Sequence, residues 1–328
     1  MKILVIQTAF IGDVILATPV PEALRRAHPE ARIDLLVRSG CERLFEGHPF
    51  VGKVWVWQKK RRKYVNLLRL IRQLRRERYD WAINCQRFAA SGLLSIACGA
   101  RYTVGFDKNP LSLFFSKKIP HRIGQGHETE RNLALVAHLA PESVREARPR
   151  LYPQEQHFEE LGAWGQGAFV VMAPASVWPT KQWPERKWIE LARLIPGAYR
   201  IALIGGPEDR DLCARLLEAA GPERGVNLAG RLSLLASAAL MSRAAMCYVN
   251  DSAPLHLASS VNAPVCAVFC STLPEFGFGP LSDCSFVLQT EARLTCRPCG
   301  LHGKKSCPEG HFACAESIDP LRAPLPET

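Results

Sequence analysis

The sequence predicts two doubly wound α/β domains carried on one chain of 328 residues. Three observations point there. Short apolar runs that do not alternate with polar residues recur along the chain, as strands buried on both faces require. Stretches with apolar residues three or four apart lie between them, the spacing of helices that cross between parallel strands. The length is also about twice that of an ordinary single-core domain.

The first strand series is KILVI (2–6), IDLLV (33–37), VWVW (54–57), WAIN (81–84) and YTVGF (102–106). The second is FVVM (169–172), RIALIG (200–205), MCYV (246–249) and PVCAVF (264–269). Residues 132–139, 188–194 and 212–217 carry helical spacing. Pro19 and Pro21 predict a helix broken soon after the first strand. Residues 141–167, rich in Pro, Glu, Gln and Gly, read as the connection between the two series.

Composition narrows the class. With 47% hydrophobic and 22% charged residues and no low-complexity tract, the chain is expected to be a globular protein. No apolar run approaches the ~18–20 residues of a spanning helix. The first residues lack the cleavage-site pattern of a signal peptide. Several of the twelve cysteines sit in apolar settings (Cys85, Cys98, Cys247, Cys266), where a free thiol acts as a small core residue. These features predict a reducing, cytoplasmic location.

The net charge of +11 is concentrated. Residues 53–78 hold eleven Lys or Arg and one acid, Glu77, so the remainder is close to neutral. Within that stretch Tyr64, Leu67, Leu68, Ile71 and Leu74 form an expected apolar stripe, with Arg69, Arg72 and Arg76 opposite and Lys59, Lys60, Arg61, Arg62 and Lys63 ahead of the helix. Such a charge is a solvated helix face or a dock for an anionic partner. No nucleic-acid-binding module accompanies it.

Ligands of open α/β sheets bind beyond the carboxyl ends of strands, and three such ends carry polar loops. In "QTAFIGDVILATP" (7–19), Thr8, Gly12 and Asp13 follow a wholly apolar strand. On this motif alone a helix cap is the simpler reading of Asp13, and a phosphate loop is a poor one, because a carboxylate repels phosphate. In "APASVWPTKQWP" (173–184), Ser176, Thr180 and Lys181 make either a diphosphate cradle or an ordinary polar loop. In "VNDSAPLHLASS" (249–260), Asp251 and Ser252 precede His256 by one helical turn. Glu208, after "LIGGP", reads equally as a ribose partner or an exposed acid.

Taken with "NLAGRLSLLASAALMSRA" and "NDSAPLHLASSVNAPVCAVFCSTLPEFGFGP", these segments resemble, in order and over nearly the whole chain, the landmarks of glycosyltransferase family 9, the bacterial ADP-heptose:lipopolysaccharide heptosyltransferases. The late "CRPCGLHGKKSCPEGHFAC" is similar to the tail of members near heptosyltransferase II. The resemblance implies a GT-B fold, two Rossmann-like domains facing a cleft, with an acceptor-binding domain at 1–155 and a nucleotide-sugar domain at 156–328. It implies inverting transfer of heptose from ADP-heptose to the lipopolysaccharide inner core, with Asp13 as general base. The family's donor-site residues fall on Ser176, Thr180, Lys181, Asp251, Ser252 and His256. Where the family commonly has glycine after the Asp-Ser pair, this chain has Ala253.

Thr8, Gly12 and the basic residues 59–63 are then expected on the acceptor side, against a lipopolysaccharide precursor at the anionic cytoplasmic face of the inner membrane. No DxD pair lies in the loops, so catalysis is expected to need no metal or other cofactor. Cys296, Cys299, Cys307 and Cys314, spaced C-x2-C-x7-C-x6-C, leave structural zinc, free thiols and disulfides open. Rival readings are a glycosyltransferase using another nucleotide sugar, such as a UDP-sugar, and a non-catalytic sugar-nucleotide-binding homologue.

Overall fold

The structure, a computed structural model, describes residues 1–58, 63–145 and 148–327. The chain divides into two compact units, Met1–Tyr152 and Pro153–Thr328. The segment expected as a connection is already partly structured, with a 3-10 turn at Ser143–Arg145 and a helix at Glu155–Glu159.

Among the described residues, the sheet of the first unit has six strands: β1 (Lys2–Gln7), β2 (Arg32–Arg38), β3 (Val51–Trp57), β4 (Trp81–Asn84), β5 (Tyr102–Phe106) and β6 (Lys117–Ile119). All pair in parallel, in the order β3-β2-β1-β4-β5-β6. Its helices are α1 (Ile11–Leu16), α2 (Pro19–Ala27), α3 (Lys63–Glu77), α4 (Ala89–Ala97) and α5 (Glu128–Ala134). The second unit contains α6 (Glu155–Glu159), β7 (Phe169–Ala173), α7 (Glu185–Leu194), β8 (Arg200–Leu203), α8 (Arg210–Ala220), β9 (Gly225–Asn227), α9 (Leu234–Met241), β10 (Cys247–Asn250), α10 (Ala253–Ser260), β11 (Val265–Phe269), β12 (Ser285–Gln289) and α11 (Ala313–Glu316). Its parallel sheet runs β12-β11-β10-β7-β8-β9.

Central β1 is buried on both faces, which is why its sequence is wholly apolar from Ile3 to Ile6. Leu4 and Ile6 join the core beneath α3 and α4, while Val5 and Gln7 face Val14, Ala17 and Pro21 of the helices on the other side. The break expected at the prolines is real: α1 stops at Leu16, and Pro19 opens α2 at N1, where a missing N–H costs nothing.

Three findings differ from expectation. Strands β6 and β9 are three-residue edge strands that carry too little apolar sequence to signal themselves, and β12, with Phe286 and Val287 exposed, is the other edge of the second sheet. Helix α5 begins four residues before the periodic stretch at 132–139 and ends at Ala134, because His127 and Glu130 cap its start: the Thr129 N–H donates to His127 Nδ1 and the His127 N–H to Glu130. On α3, Leu67, Leu70, Ile71 and Leu74 are the buried stripe, each worth about 1.5–3 kcal/mol when fully buried. Leu68 is instead 56% exposed, because it lies about 100° around the helix from Leu67. Among the described residues, no helix is long and apolar enough to cross a membrane.

Candidate active site

In the first sheet the strand order reverses at β1, with β2 on one side and β4 on the other, so the loops after β1 and β4 sit at the switch point where ligands bind. Side chains tie these loops together. Gln7 donates to the Cys85 carbonyl (3.3 Å) and accepts from Ala9 N–H, and Asn84 accepts from Gln86 N–H (3.0 Å). The Thr8 hydroxyl donates to Gln86 Oε1 at 2.7 Å. Thr8, expected to face the acceptor, is fully buried, so it braces the loop from within.

Gly12 lies in the first turn of α1, and Asp13 follows at N3. Asp13 is therefore not the N-cap, a position held by Phe10; its carboxylate accepts the Phe10 N–H at 3.2 Å. Burial pushes the Asp13 carboxyl up to about 6, and the negative charge of Glu128 adds to this, while the Phe10 N–H and Arg87 pull it down. Glu128 is itself buried, which opposes its ionisation, but His121 and Arg131 outweigh that and hold it below the usual carboxylate range. Arg131 Nε and Nη2 each approach Glu128 at 2.8 Å, and His121 Nε2 at 3.6 Å. The result is a half-buried carboxyl that is ionised at neutral pH yet more basic than an ordinary aspartate. That is the state suited to receiving a proton.

The second sheet reverses at β7, between β8 and β10, and joins the loops after β7 and β10. Asn250, at the end of β10, staples them: its Oδ1 accepts from Trp183 N–H (3.0 Å) and its Nδ2 donates to the Pro174 carbonyl (2.6 Å). Lys181 Nζ meets Asp251 Oδ2 at 2.7 Å, and the Thr272 hydroxyl donates to the same oxygen at 2.6 Å. Ser252 begins α10 with its hydroxyl turned to the Asn250 carbonyl, and Ser176 lies partly exposed in the β7 loop. Glu208 is exposed and lines a groove of about 520 Å³ with Ala175, Pro179 and Gln182.

Two expected donor residues are placed differently. Thr180 is buried: its oxygen accepts from Ser271 (3.1 Å) and from Lys304 N–H (2.7 Å), and its own N–H donates to the Lys304 carbonyl. His256 is buried in α10 with its ring 6.4 Å from that of Phe278. Thr180 thereby ties the β7 loop to residues 271 and 304. Lys59, Lys60, Arg61 and Arg62 lie outside the described residues, as do the side chains of Lys63 and Tyr64; Lys63 opens α3.

Cys296, Cys299, Cys307 and Cys314 form no disulfide, and the first three lie near enough to Cys314 to act on it electrostatically. Cys299 Sγ turns back to its own Cys296 carbonyl at 3.4 Å, and burial, with the neighbouring Cys299, pushes Cys314 up to about 11. Among the described residues, no three His, Cys, Asp or Glu side chains converge to hold a metal ion.

Sequence reasoning missed Glu128, Arg87, Asn250 and Thr272. Arg87 and Thr272 follow the ends of β4 and β11, so the strand-end rule, applied to all strands, finds both; Glu128 is a helix-first-turn acid with no such signal.

Residues 67–309 match glycosyltransferase family 9 (heptosyltransferase). The chain is 31% identical to lipopolysaccharide heptosyltransferase 1 of Pseudomonas aeruginosa, over 84% of this chain and 80% of that protein. It is 25% identical to lipopolysaccharide heptosyltransferase 2 of Escherichia coli K12, over 98% and 96%. The solved structure of E. coli ADP-heptose LPS heptosyltransferase II superposes with a TM-score of 0.80 at 23% identity, covering 98% of this chain and 96% of that one. With two parallel six-stranded sheets flanked by helices, the fold is GT-B. The chain belongs to glycosyltransferase family 9, the heptosyltransferase family, and is a glycosyltransferase.

Proposed function

We propose that the protein transfers heptose from ADP-heptose to the inner core of lipopolysaccharide, inverting the anomeric centre, with Asp13 as the general base. The observation that carries this reading is the half-buried Asp13 carboxyl at a switch point, held at about 6. An acceptor hydroxyl is a poor nucleophile at neutral pH. Asp13 takes its proton as the oxygen bonds to the anomeric carbon, and the carbon–oxygen bond to the diphosphate breaks with its electron pair leaving on ADP. One displacement from the face opposite the leaving group inverts the centre.

The first unit supplies the acceptor side, with Gly12 giving access beside Asp13, and the second supplies the donor side. Lys181, oriented by Asp251, meets the charge that grows on the departing diphosphate, aided by the amino end of α10 and by Ser176 and Ser252. Glu208 fits a ribose contact, and Thr180 and His256 hold the donor loops in place.

The outward face of α3 supports docking at the cytoplasmic face of the inner membrane. There Arg69, Arg72 and Arg76 share a surface with the exposed Val65 and Leu68. Guanidinium groups interleaved with aliphatic side chains suit an anionic lipid interface, where lipopolysaccharide precursors would be met.

Thermal shift with ADP and UDP sugars tests the donor. ADP-heptose and ADP should raise the melting temperature and UDP-linked sugars should not; the reverse preference would overturn the assignment.

A further inference from the structure

We propose that Arg297 is a positioning residue for donor binding. It grips the loop after β11 and so fixes the Thr272–Asp251–Lys181 chain from behind. The inference rests on the reading of Lys181 as a donor-diphosphate ligand.

The loop at 269–272 leaves the sheet fully buried, and its carbonyls have no strand ahead to pair with. Residues of the cysteine-rich segment take them instead. Arg297 Nε donates to the Cys270 carbonyl (2.7 Å), and Nη2 to the carbonyls of Phe269 (3.2 Å) and Thr272 (2.9 Å) and to Gln289 Oε1 on β12 (2.8 Å). The Cys299 N–H takes the Ser271 carbonyl at 3.0 Å. Each carbonyl from Phe269 to Thr272 is thus held by Arg297 or Cys299.

One outlet of this grip toward the donor runs through Thr272. Thr272, pinned through its carbonyl, donates its hydroxyl to Asp251 Oδ2, the oxygen that also holds Lys181 Nζ. A second connection runs from the same segment to the same loop, through the paired Thr180 and Lys304 backbones. Gly303 packs so closely there that an added Cβ would lie 2.3 Å from Trp178 Cβ and 3.0 Å from Lys181 Cγ. A lysine in place of Arg297 has a single ammonium and lacks the planar fork that reaches several acceptors at once.

The experiment compares Arg297→Lys, Thr272→Val, the double variant and Lys181→Ala by steady-state kinetics and ADP titration, with melting temperatures as a check of folding. Arg297→Lys should raise the donor KM and the ADP Kd about tenfold with kcat within about threefold, the split expected when ground-state binding geometry is lost. Thr272→Val should do the same, and the double variant should be little worse than either single one, since both act on one chain of contacts. Should Arg297→Lys fail to fold, Thr272→Val still decides: an unchanged donor KM there overturns the proposal. Additive losses in the double variant, or an Arg297→Lys enzyme with parental ADP affinity, also overturn it. Lys181→Ala separates the two levels. If it leaves ADP affinity intact, the donor reading itself is wrong; if it weakens ADP while Arg297→Lys does not, only the positioning role is.

Discussion

Replacing Asp13 by asparagine should stabilise the first unit at alkaline pH while lowering transfer by orders of magnitude. A carboxyl that titrates at about 6 when folded and near 3.8 when unfolded binds its proton more tightly in the native state. Below 3.8 both states are protonated and the group costs nothing. As pH rises from 3.8 to 6 the unfolded chain ionises first, so stability falls; above 6 the full cost is present. At about 1.4 kcal/mol per tenfold, that cost is about 3 kcal/mol, and about 2 kcal/mol after allowing for partial solvent access. Asparagine keeps an oxygen for the Phe10 N–H and removes the charge, so D13N should gain about 1–2 kcal/mol at pH 8. Calorimetric unfolding at pH 8 and pH 4.5 reads this directly, with the advantage shrinking as pH drops through 6. A variant no more stable than the parent at pH 8 would refute the reasoning, because Asp13 would then be an ordinary solvated acid.

Three other outcomes follow from the same geometry. Lys181→Met leaves the buried Asp251 unpaired, so it should cost about 3 kcal/mol in a denaturant titration and weaken ADP ten- to a hundredfold by roughly the strength of a charged hydrogen bond; adding Asp251→Asn should recover stability but not ADP affinity. Thr180→Val removes the acceptor for Ser271 and Lys304 and should lower stability by about 2 kcal/mol, seen as a shifted urea midpoint. Reversing Arg69, Arg72 and Arg76 to glutamate should weaken sedimentation with anionic vesicles by about 3 kcal/mol or more at low salt, and unchanged binding would remove α3 from membrane docking.

Much of this was legible in the sequence because parallel strands announce themselves twice, as unbroken apolar runs and by the polar loops at their carboxyl ends. The loops that carry Asp13, Lys181 and Asp251 stood out that way. What escaped depended on contacts distant along the chain. Thr180 and His256 advertise chemistry through a hydroxyl and an imidazole, yet nothing local reveals their burial or that Lys304 closes over Thr180. Glu128 lies 115 residues from Asp13, so its electrostatic influence needs the fold to bring α5 beside α1. The cysteine spacing left zinc, free thiols and disulfides open, and in the fold no disulfide joins the four while Cys299 turns its thiol to a backbone carbonyl. Leu68 lies one residue of rotation from Leu67, enough to carry it from the core to the surface.

The central claim is tested most directly by transfer from ADP-heptose to a lipopolysaccharide inner-core acceptor, comparing the parent with D13N. Released ADP gives the rate, and nuclear magnetic resonance gives the product's anomeric configuration. The parent should turn over with inversion, and D13N should bind ADP normally while its kcat falls about 10²–10⁴-fold, the usual worth of a general base. Near-parental turnover by D13N, or retention of configuration, would contradict the account.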